Sequence, residues 1–287
     1  MARISDYDIN RTISANVVST ERITPESDSE EVRRLQLDIE AEEFTFELGQ
    51  SICVIVPGPH ELGNADHVRF YSIAGLSGTD SGGGARLELC VKRCSYVDEF
   101  SGERYQGVAS NFLCDLKPGD TLRIAGPFGL PFNVPNDSNA NMLMIGMGTG
   151  VAPFRAFTTK IHREMREWQG RVRIFYGAKT GLELTYMNDH VKDLANYYQE
   201  ETFKAFSAIS QRPHLGEPAG VGQSIEENSK EVMELLGDSN TYVYVAGVEK
   251  LSEILDETLA KMFGGKDAWQ KKKIELSDSG RWQEIIY

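Results

Sequence analysis

Two short stretches combine residue types that can hold phosphates and flat rings. Gly146-Met147-Gly148-Thr149-Gly150-Val151-Ala152-Pro153 follows an apolar run and opens an amphipathic one. Glycines in such a turn let backbone N–H groups approach a pyrophosphate, and a helix start adds a favourable field for negative charge. The spacing G-x-G-x-G is not the G-x-G-x-x-G of the common dinucleotide fingerprint, and a plain strand-to-helix turn would use the same glycines. Pro153 suits a first helical turn either way. The second stretch, Arg69-Phe70-Tyr71-Ser72, closes a predicted strand. A guanidinium grips phosphate, a phenol ring lies against a heterocycle, and a hydroxyl reaches its polar edge. Each stretch also reads as ordinary structure, so neither decides the chemistry alone.

The elements that must position these residues fall into two groups. Alternating or short apolar runs at Thr12–Ser19, Val32–Ile39, Ser51–Val56, Val68–Ile73, Arg86–Arg93 and Thr121–Ala125 predict strands punctuated by Gly and Pro. With one helix near Ala109–Leu116, for which Ser110 is a candidate N-cap, they suggest an antiparallel Greek-key β-barrel. The polar connection Asn133–Asn141 separates this part from the rest, giving expected domains at 1–136 and 137–287. Beyond it, strands at Met142–Gly146, Arg171–Tyr176, Thr202–Ile209 and Tyr242–Ala246 alternate with helices. The helices are predicted at Pro153–Trp168, Tyr186–Tyr198, Ile225–Leu236 and Lys250–Phe263. That order implies an α/β domain with a parallel sheet and a ligand at the strands' carboxyl ends.

Composition narrows the class. A chain of 287 residues, 40% hydrophobic and 25% charged, suits two ordinary globular domains. A net charge of −13 argues against general affinity for nucleic acid or anionic membrane surfaces. No run approaches the length of a membrane span, and Met1–Ile13 has no signal-peptide core, so a cytoplasmic location is expected. Cys53, Cys90, Cys94 and Cys114 form no C-x-x-C pair and are expected to be buried free thiols. The acidic stretch Glu26–Glu31 is expected to be a solvated loop.

Read together, the segments acquire an order. Arg69–Ser72, Leu89–Arg93, Gly107-Val108-Ala109-Ser110-Asn111-Phe112-Leu113-Cys114-Asp115-Leu116-Lys117-Pro118-Gly119-Asp120, Gly126-Pro127, Gly148–Arg155, Val245-Ala246-Gly247 and Trp282…Tyr287 resemble the plant-type ferredoxin–NADP(+) reductase family from about Ile13 onward. The resemblance implies an FAD-binding barrel, an NADP(H)-binding α/β domain and electron exchange with ferredoxin or a flavodoxin-like carrier. It assigns Arg69, Tyr71 and Ser72 to FAD, with Tyr71 on one flavin face and Ser72 near the reactive nitrogen. Cys90 lies on the strand passing the cofactor, Lys92 reaches the nicotinamide dinucleotide, and Tyr96 stacks on the FAD adenine. Gly107, Ala109 and Ser110 bind its pyrophosphate, and Thr149 belongs to the coenzyme turn. Tyr287 covers the second flavin face as a displaceable gate. Ser210 with Arg212 resembles a 2′-phosphate site and favours NADP(H) over NAD(H).

Two positions depart from that pattern. Ala246-Gly247 stands where the family has Cys-Gly, and Ile285 stands where it has Glu, with Glu284 one place earlier. A one-residue shift on a strand sends a side chain to the opposite face, so a proton relay through that carboxylate is in question. Arg33, Arg34, Arg86, Lys92, Arg93 and Arg104 are candidates for a basic face toward an acidic carrier. Rival readings are the reductase component of an oxygenase system and a flavin-binding regulatory subunit with little catalysis.

Overall fold

The barrel begins as sequence alternation made physical. In the computed structural model, which describes residues 7–39, 41, 44–58, 65–77, 85–97, 102–129, 132, 135–164, 168–178, 184–187, 202–209 and 220–286, contacts divide the chain into 1–132 and 133–287. In the first unit, β1 (Thr12–Arg22), β2 (Val32–Ile39), β3 (Ser51–Pro57), β4 (Asp66–Ser77), β5 (Ala85–Lys92) and β8 (Thr121–Phe128) form a closed barrel in the order β1-β2-β5-β4-β3-β8. All its pairings are antiparallel, and closure leaves no exposed sheet edge. Leu35, Leu37 and Ile39 of β2 point inward with Leu87, Leu89 and Val91 of β5, while the intervening residues face outward. The helix α1 (Val108–Asp115) adds Ala109, Leu113 and Cys114 to the same core.

Between β5 and α1 stands a two-stranded hairpin, β6 (Ser95–Val97) and β7 (Arg104–Gln106). Its three-residue strands are too short to have a readable period. Outside the barrel wall, Tyr7, Phe70 and Phe128 form an aromatic triangle with centroids 5.1–5.5 Å apart.

The second unit is a five-stranded sheet, β11 (Phe203–Ile209), β10 (Val172–Ala178), β9 (Asn141–Met147), β12 (Thr241–Gly247) and β13 (Trp282–Ile286), in that order. Every pairing is parallel. The central strands, NMLMIGM and TYVYVAG, are almost unbroken apolar runs because both faces are covered. The helices are α2 (Ala152–Glu164), α3 (Val221–Glu227), α4 (Ser229–Gly237), α5 (Glu249–Met262) and α6 (Lys266–Asp278).

Several expectations change. The helix expected over Ile225–Leu236 is two helices, broken at Asn228, whose side-chain amide donates to the Ser224 carbonyl at 2.8 Å. The helix expected over Tyr186–Tyr198 lies mostly outside the described residues; its start is a turn with Tyr186 at φ 70°. Helix α6 was not foreseen, since only Trp269 and Leu276 of its 13 residues are buried and its apolar stripe is thin. Trp269 meets Trp282 edge to face at 5.4 Å and donates to Asp256 Oδ1 at 2.7 Å, while Lys273 Nζ lies 5.3 Å from the Trp282 ring. This cluster ties the last strand to the helix before it.

Candidate active site

Strand alternation distributes the β4 residues. Arg69 and Tyr71 share the face of the core residue Ile73, and Phe70 and Ser72 take the other. Arg69 is exposed at its end of the strand, whereas Tyr71 packs against the barrel core. Burial pushes the Tyr71 phenol above its ordinary range, with the Cys94 and Cys114 thiols adding to the effect and Arg69 opposing it. Tyr71 is therefore a neutral ring at physiological pH, suited to lie against a heterocycle. Ser72 is half-buried opposite Ser51 of β3.

On β5, Cys90 and Lys92 alternate away from Leu89 and Val91. Cys90 is buried, and Lys92 Nζ lies 2.8 Å from Glu30 Oε2. Beyond the strand, Arg93 joins three elements. It donates from Nε to Glu31 at 2.8 Å, from Nη1 to Asn111 Oδ1 at 2.9 Å and from Nη2 to Asp115 Oδ1 at 2.8 Å. Burial raises the Glu31 carboxyl, but Arg93 and Arg33 outweigh it and hold Glu31 below the ordinary carboxylate range.

The start of α1 is set by Gly107, three residues before the candidate cap Ser110. No side chain caps it. Gly107 N and Asn111 Nδ2 both donate to the Cys94 carbonyl at 2.9 Å. Ser110 Oγ accepts from Cys94 N at 3.1 Å and donates to the Gly107 carbonyl at 3.3 Å, so the hydroxyl fastens the hairpin base to the helix instead of capping it. The first intrahelical bond is Asn111 N to Gly107 O at 3.1 Å. The N–H groups of the first turn are thus directed outward from the helix start, where a phosphate is favoured.

The hairpin offers an aromatic surface. Tyr96 and Tyr105 are paired across the strands, and their rings stack with centroids 5.6 Å apart at 21°. Tyr96 is 57% exposed, so one face of its ring rests on Tyr105 and the other is a suitable site for a flat ligand. Tyr105 was missed by sequence reasoning, as were Asn111 and the loop carboxylates. Only the placement of two tyrosines around Gly102 hinted at a cross-strand pair.

In the second unit, the glycine turn is a 3-10 turn, Gly148–Val151, between β9 and α2. Gly148 has φ +61° with open space around it. Gly150 is held against β12: a Cβ there would lie 2.1 Å from the Ala246 carbonyl oxygen. Thr149, half-buried, accepts from Ala152 N through its carbonyl. Pro153 occupies the first turn of α2. Ala246 is fully buried and pairs with Ile285 in the β12–β13 register. Glu284 is engaged elsewhere, accepting from Trp282 Nε1 and lying 3.3 Å from Lys273 Nζ.

Expectations about charge and thiols are corrected in three respects. The stretch Glu26–Glu31 is a solvent-facing loop as expected, but its last two carboxylates are not free, because Glu30 and Glu31 pair with Lys92 and Arg93. The basic face is largely neutralised: Arg33 pairs with Glu31, Arg34 with Glu21, Arg86 with Asp38, Lys92 with Glu30 and Arg93 with Glu31 and Asp115. Arg104 is exposed on β7. Cys94 is exposed, whereas Cys53, Cys90 and Cys114 are buried. Ser210, Arg212 and Tyr287 lie outside the described residues. Among the described residues, no helix is long and apolar enough to cross a membrane.

Comparison with known proteins adds independent findings. Residues 15–132 match the oxidoreductase FAD-binding domain, and residues 144–257 match the oxidoreductase NAD-binding domain. The chain is 36% identical over 252 residues to the chloroplastic ferredoxin–NADP reductase leaf isozyme 1 of Arabidopsis thaliana, covering 85% of this chain and 69% of the relative. Against the ferredoxin–NADP reductase of Synechocystis it is 31% identical over 263 residues, covering 89% of this chain and 63% of the relative. Among solved structures, ferredoxin-NADP+ reductase from Plasmodium falciparum is similar with a TM-score of 0.73 at 20% identity, over 98% of both chains.

Proposed function

Because the chain belongs to the ferredoxin–NADP reductase family, we propose that it is an FAD-dependent oxidoreductase passing electrons between NADP(H) and a one-electron carrier, ferredoxin or a flavodoxin-like protein. The observation that carries this reading is the rim of the barrel, where a neutral Tyr71, an exposed Tyr96 and the uncapped start of α1 occur together. These are the groups FAD needs: flat apolar surface for its rings and unspent N–H donors for its pyrophosphate. Bound there, FAD would supply the conversion between a two-electron hydride and single electrons.

The chain's own residues do the holding. Tyr71 and Ser72 would border the isoalloxazine, with Cys90 and Lys92 on the neighbouring strand. Arg69 would meet a phosphate, Tyr96 the adenine, and the backbone N–H groups of Ala109 and Ser110 the pyrophosphate, with Gly107, whose own N–H is spent on the Cys94 carbonyl, setting the turn. Thr149 and the N–H groups of its turn would receive the nicotinamide coenzyme's phosphates at the start of α2. Ser210 and Arg212 would take its 2′-phosphate, and Tyr287 would act as the gate, on the strength of the sequence pattern. Glu284, tied to Lys273 and Trp282, is poorly placed to replace the carboxylate absent at 285. A slower proton exchange, with hydride transfer retained, follows from that substitution.

The four free cysteines suit a reducing compartment, and we assign a cytoplasmic location; the plant relative compared above is chloroplastic. The deciding experiment is anaerobic rapid mixing of the FAD-loaded protein with NADPH or NADH at equal concentration. Flavin bleaching at least ~10-fold faster with NADPH supports the 2′-phosphate assignment, the factor expected of one charge-assisted contact. Equal rates remove it. No bleaching with either coenzyme overturns the enzymatic reading.

A further inference from the structure

The loop joining β1 to β2 is built more firmly than an acidic surface turn requires. Thr24 is fully buried, and its hydroxyl donates to the Glu30 carbonyl at 2.8 Å while accepting from Val32 N at 3.1 Å. Arg22 reaches into the loop from β1, donating to the carbonyls of Thr24 at 3.1 Å, Pro25 at 3.0 Å and Asp28 at 2.9 Å. Asp28 Oδ1 accepts from Glu30 N at 3.0 Å. These bonds fix the backbone of Glu30 without any help from its own side chain. The carboxylate is then delivered to Lys92 Nζ at 2.8 Å.

Lys92 occupies a distinctive position. Its carbonyl accepts from the Cys94 thiol at 3.3 Å, and Cys94 in turn bonds Gly107 and Ser110 at the start of α1. The backbone of Lys92 therefore adjoins the junction at the phosphate-favouring helix start, and its ammonium is held at Glu30. Any anion drawn to Lys92 meets a carboxylate already there.

We propose that Glu30 is an affinity-setting residue for the nicotinamide coenzyme: its preorganised carboxylate holds the Lys92 ammonium and must yield before a dinucleotide phosphate can use that cation. The inference rests on the assignment of Lys92 to the coenzyme. Exposure decides that the pair is an exchangeable latch and not a fixed strut. The two side chains are 36% and 29% exposed, and ion pairs this open to water are weak enough for a multiply charged ligand to displace. A fully buried pair would be locked by the cost of separating it. Glu31, the next residue, instead secures Arg93 to α1, so adjacent carboxylates on one loop have separate tasks.

The test uses FAD-loaded protein and NADP+ titrated through the flavin difference spectrum, at low salt and at about 0.5 M salt, where exposed charges are screened. Glu30→Gln should tighten NADP+ about 5-fold at low salt, the upper range for an exposed ion pair. The gain should fade at high salt and vanish in a Lys92→Ala background. Glu30→Asp, which keeps the charge but withdraws it, should fall between wild type and Gln and guards against a folding defect in either variant. If Lys92→Ala weakens NADP+ while Glu30→Gln does not tighten it, the proposal fails and the Lys92 assignment stands. If Lys92→Ala has no effect, that assignment falls and takes the proposal with it. A gain that persists without Lys92 overturns it too, since the carboxylate would then act only through net charge.

Discussion

Replacing Gly150 by Ala should disable coenzyme use while sparing FAD. The added Cβ would stand 2.1 Å from the Ala246 carbonyl oxygen, 2.5 Å from its carbon and 2.9 Å from Gly247 N, all backbone atoms. Since ordinary contact begins near 3.4 Å, the glycine turn and β12 must part by about 1.3 Å in an interior packed as densely as an organic crystal. Overpacking of this kind costs about 1–3 kcal/mol or more, and a displacement near 1 Å at a binding turn costs about 10²-fold in rate. Gly148 supplies the internal control. Its φ of +61° strains any other residue, but nothing lies within 4 Å of its added Cβ. Gly148→Ala should therefore cost only the left-handed penalty of about 1–2 kcal/mol. The assay is rapid reduction by NADPH beside thermal unfolding, with FAD content measured for each variant. Gly150→Ala should retain FAD yet lose about 100-fold in kcat/KM, while Gly148→Ala loses less than about 30-fold. Near-normal reduction in Gly150→Ala, or a larger defect in Gly148→Ala, would refute the close-packing argument.

Three further outcomes follow from the barrel. Tyr105→Val should weaken FAD about 5-fold by removing the ring stacked on Tyr96, within the worth of an aromatic pair, and Tyr105→Phe should bind normally; tighter binding in the valine variant would mean that Tyr105 blocks the adenine site. Glu31 is held below its ordinary range in the fold, so its stabilisation is present above the unfolded carboxylate value and is lost as pH falls through the folded one. FAD fluorescence should accordingly rise on acidification below about pH 4, and an unchanged acid profile in Glu31→Gln would remove Glu31 as the cause. Burial pushes the Cys53 thiol up to about 11 and the Cys114 thiol up to about 12. At pH 8 a thiol reagent should therefore titrate Cys94 alone, and rapid reaction of a second thiol without denaturant would contradict the burial. Because both buried thiols are raised, their protonated forms support the fold at neutral pH, and that support declines as pH climbs past about 9.

The parts of the fold legible in the sequence were those governed by local period. VRRLQLDI announces a half-buried strand by its alternation, and NMLMIGM announces a strand covered on both faces. Helix α1 lies within a residue of its expected place, but Ser110 is not its cap, because its hydroxyl serves the Cys94–Gly107 junction. Glu30 and Lys92 are far apart in sequence, so nothing local could reveal their pairing or the neutralisation of the basic face. The close approach at Gly150 has the same origin, being a contact of the glycine turn with β12 that only the folded sheet brings together. The apolar spacing runs through the break at Asn228, which is marked instead by the residue's non-helical backbone and its side-chain bond to Ser224.

The tryptophan cluster gives the molecule a built-in optical division. All three tryptophans, Trp168, Trp269 and Trp282, belong to the unit spanning 133–287, and the barrel unit has none. Indole emission therefore reports the coenzyme unit alone, while the yellow cofactor's own absorbance and emission report the barrel. A single denaturation series read at two wavelengths can show whether the halves melt together or in sequence. Trp269 and Trp282, 5.4 Å apart with Lys273 and Asp256 beside them, weight that indole signal toward the seam where α6 meets the final strand.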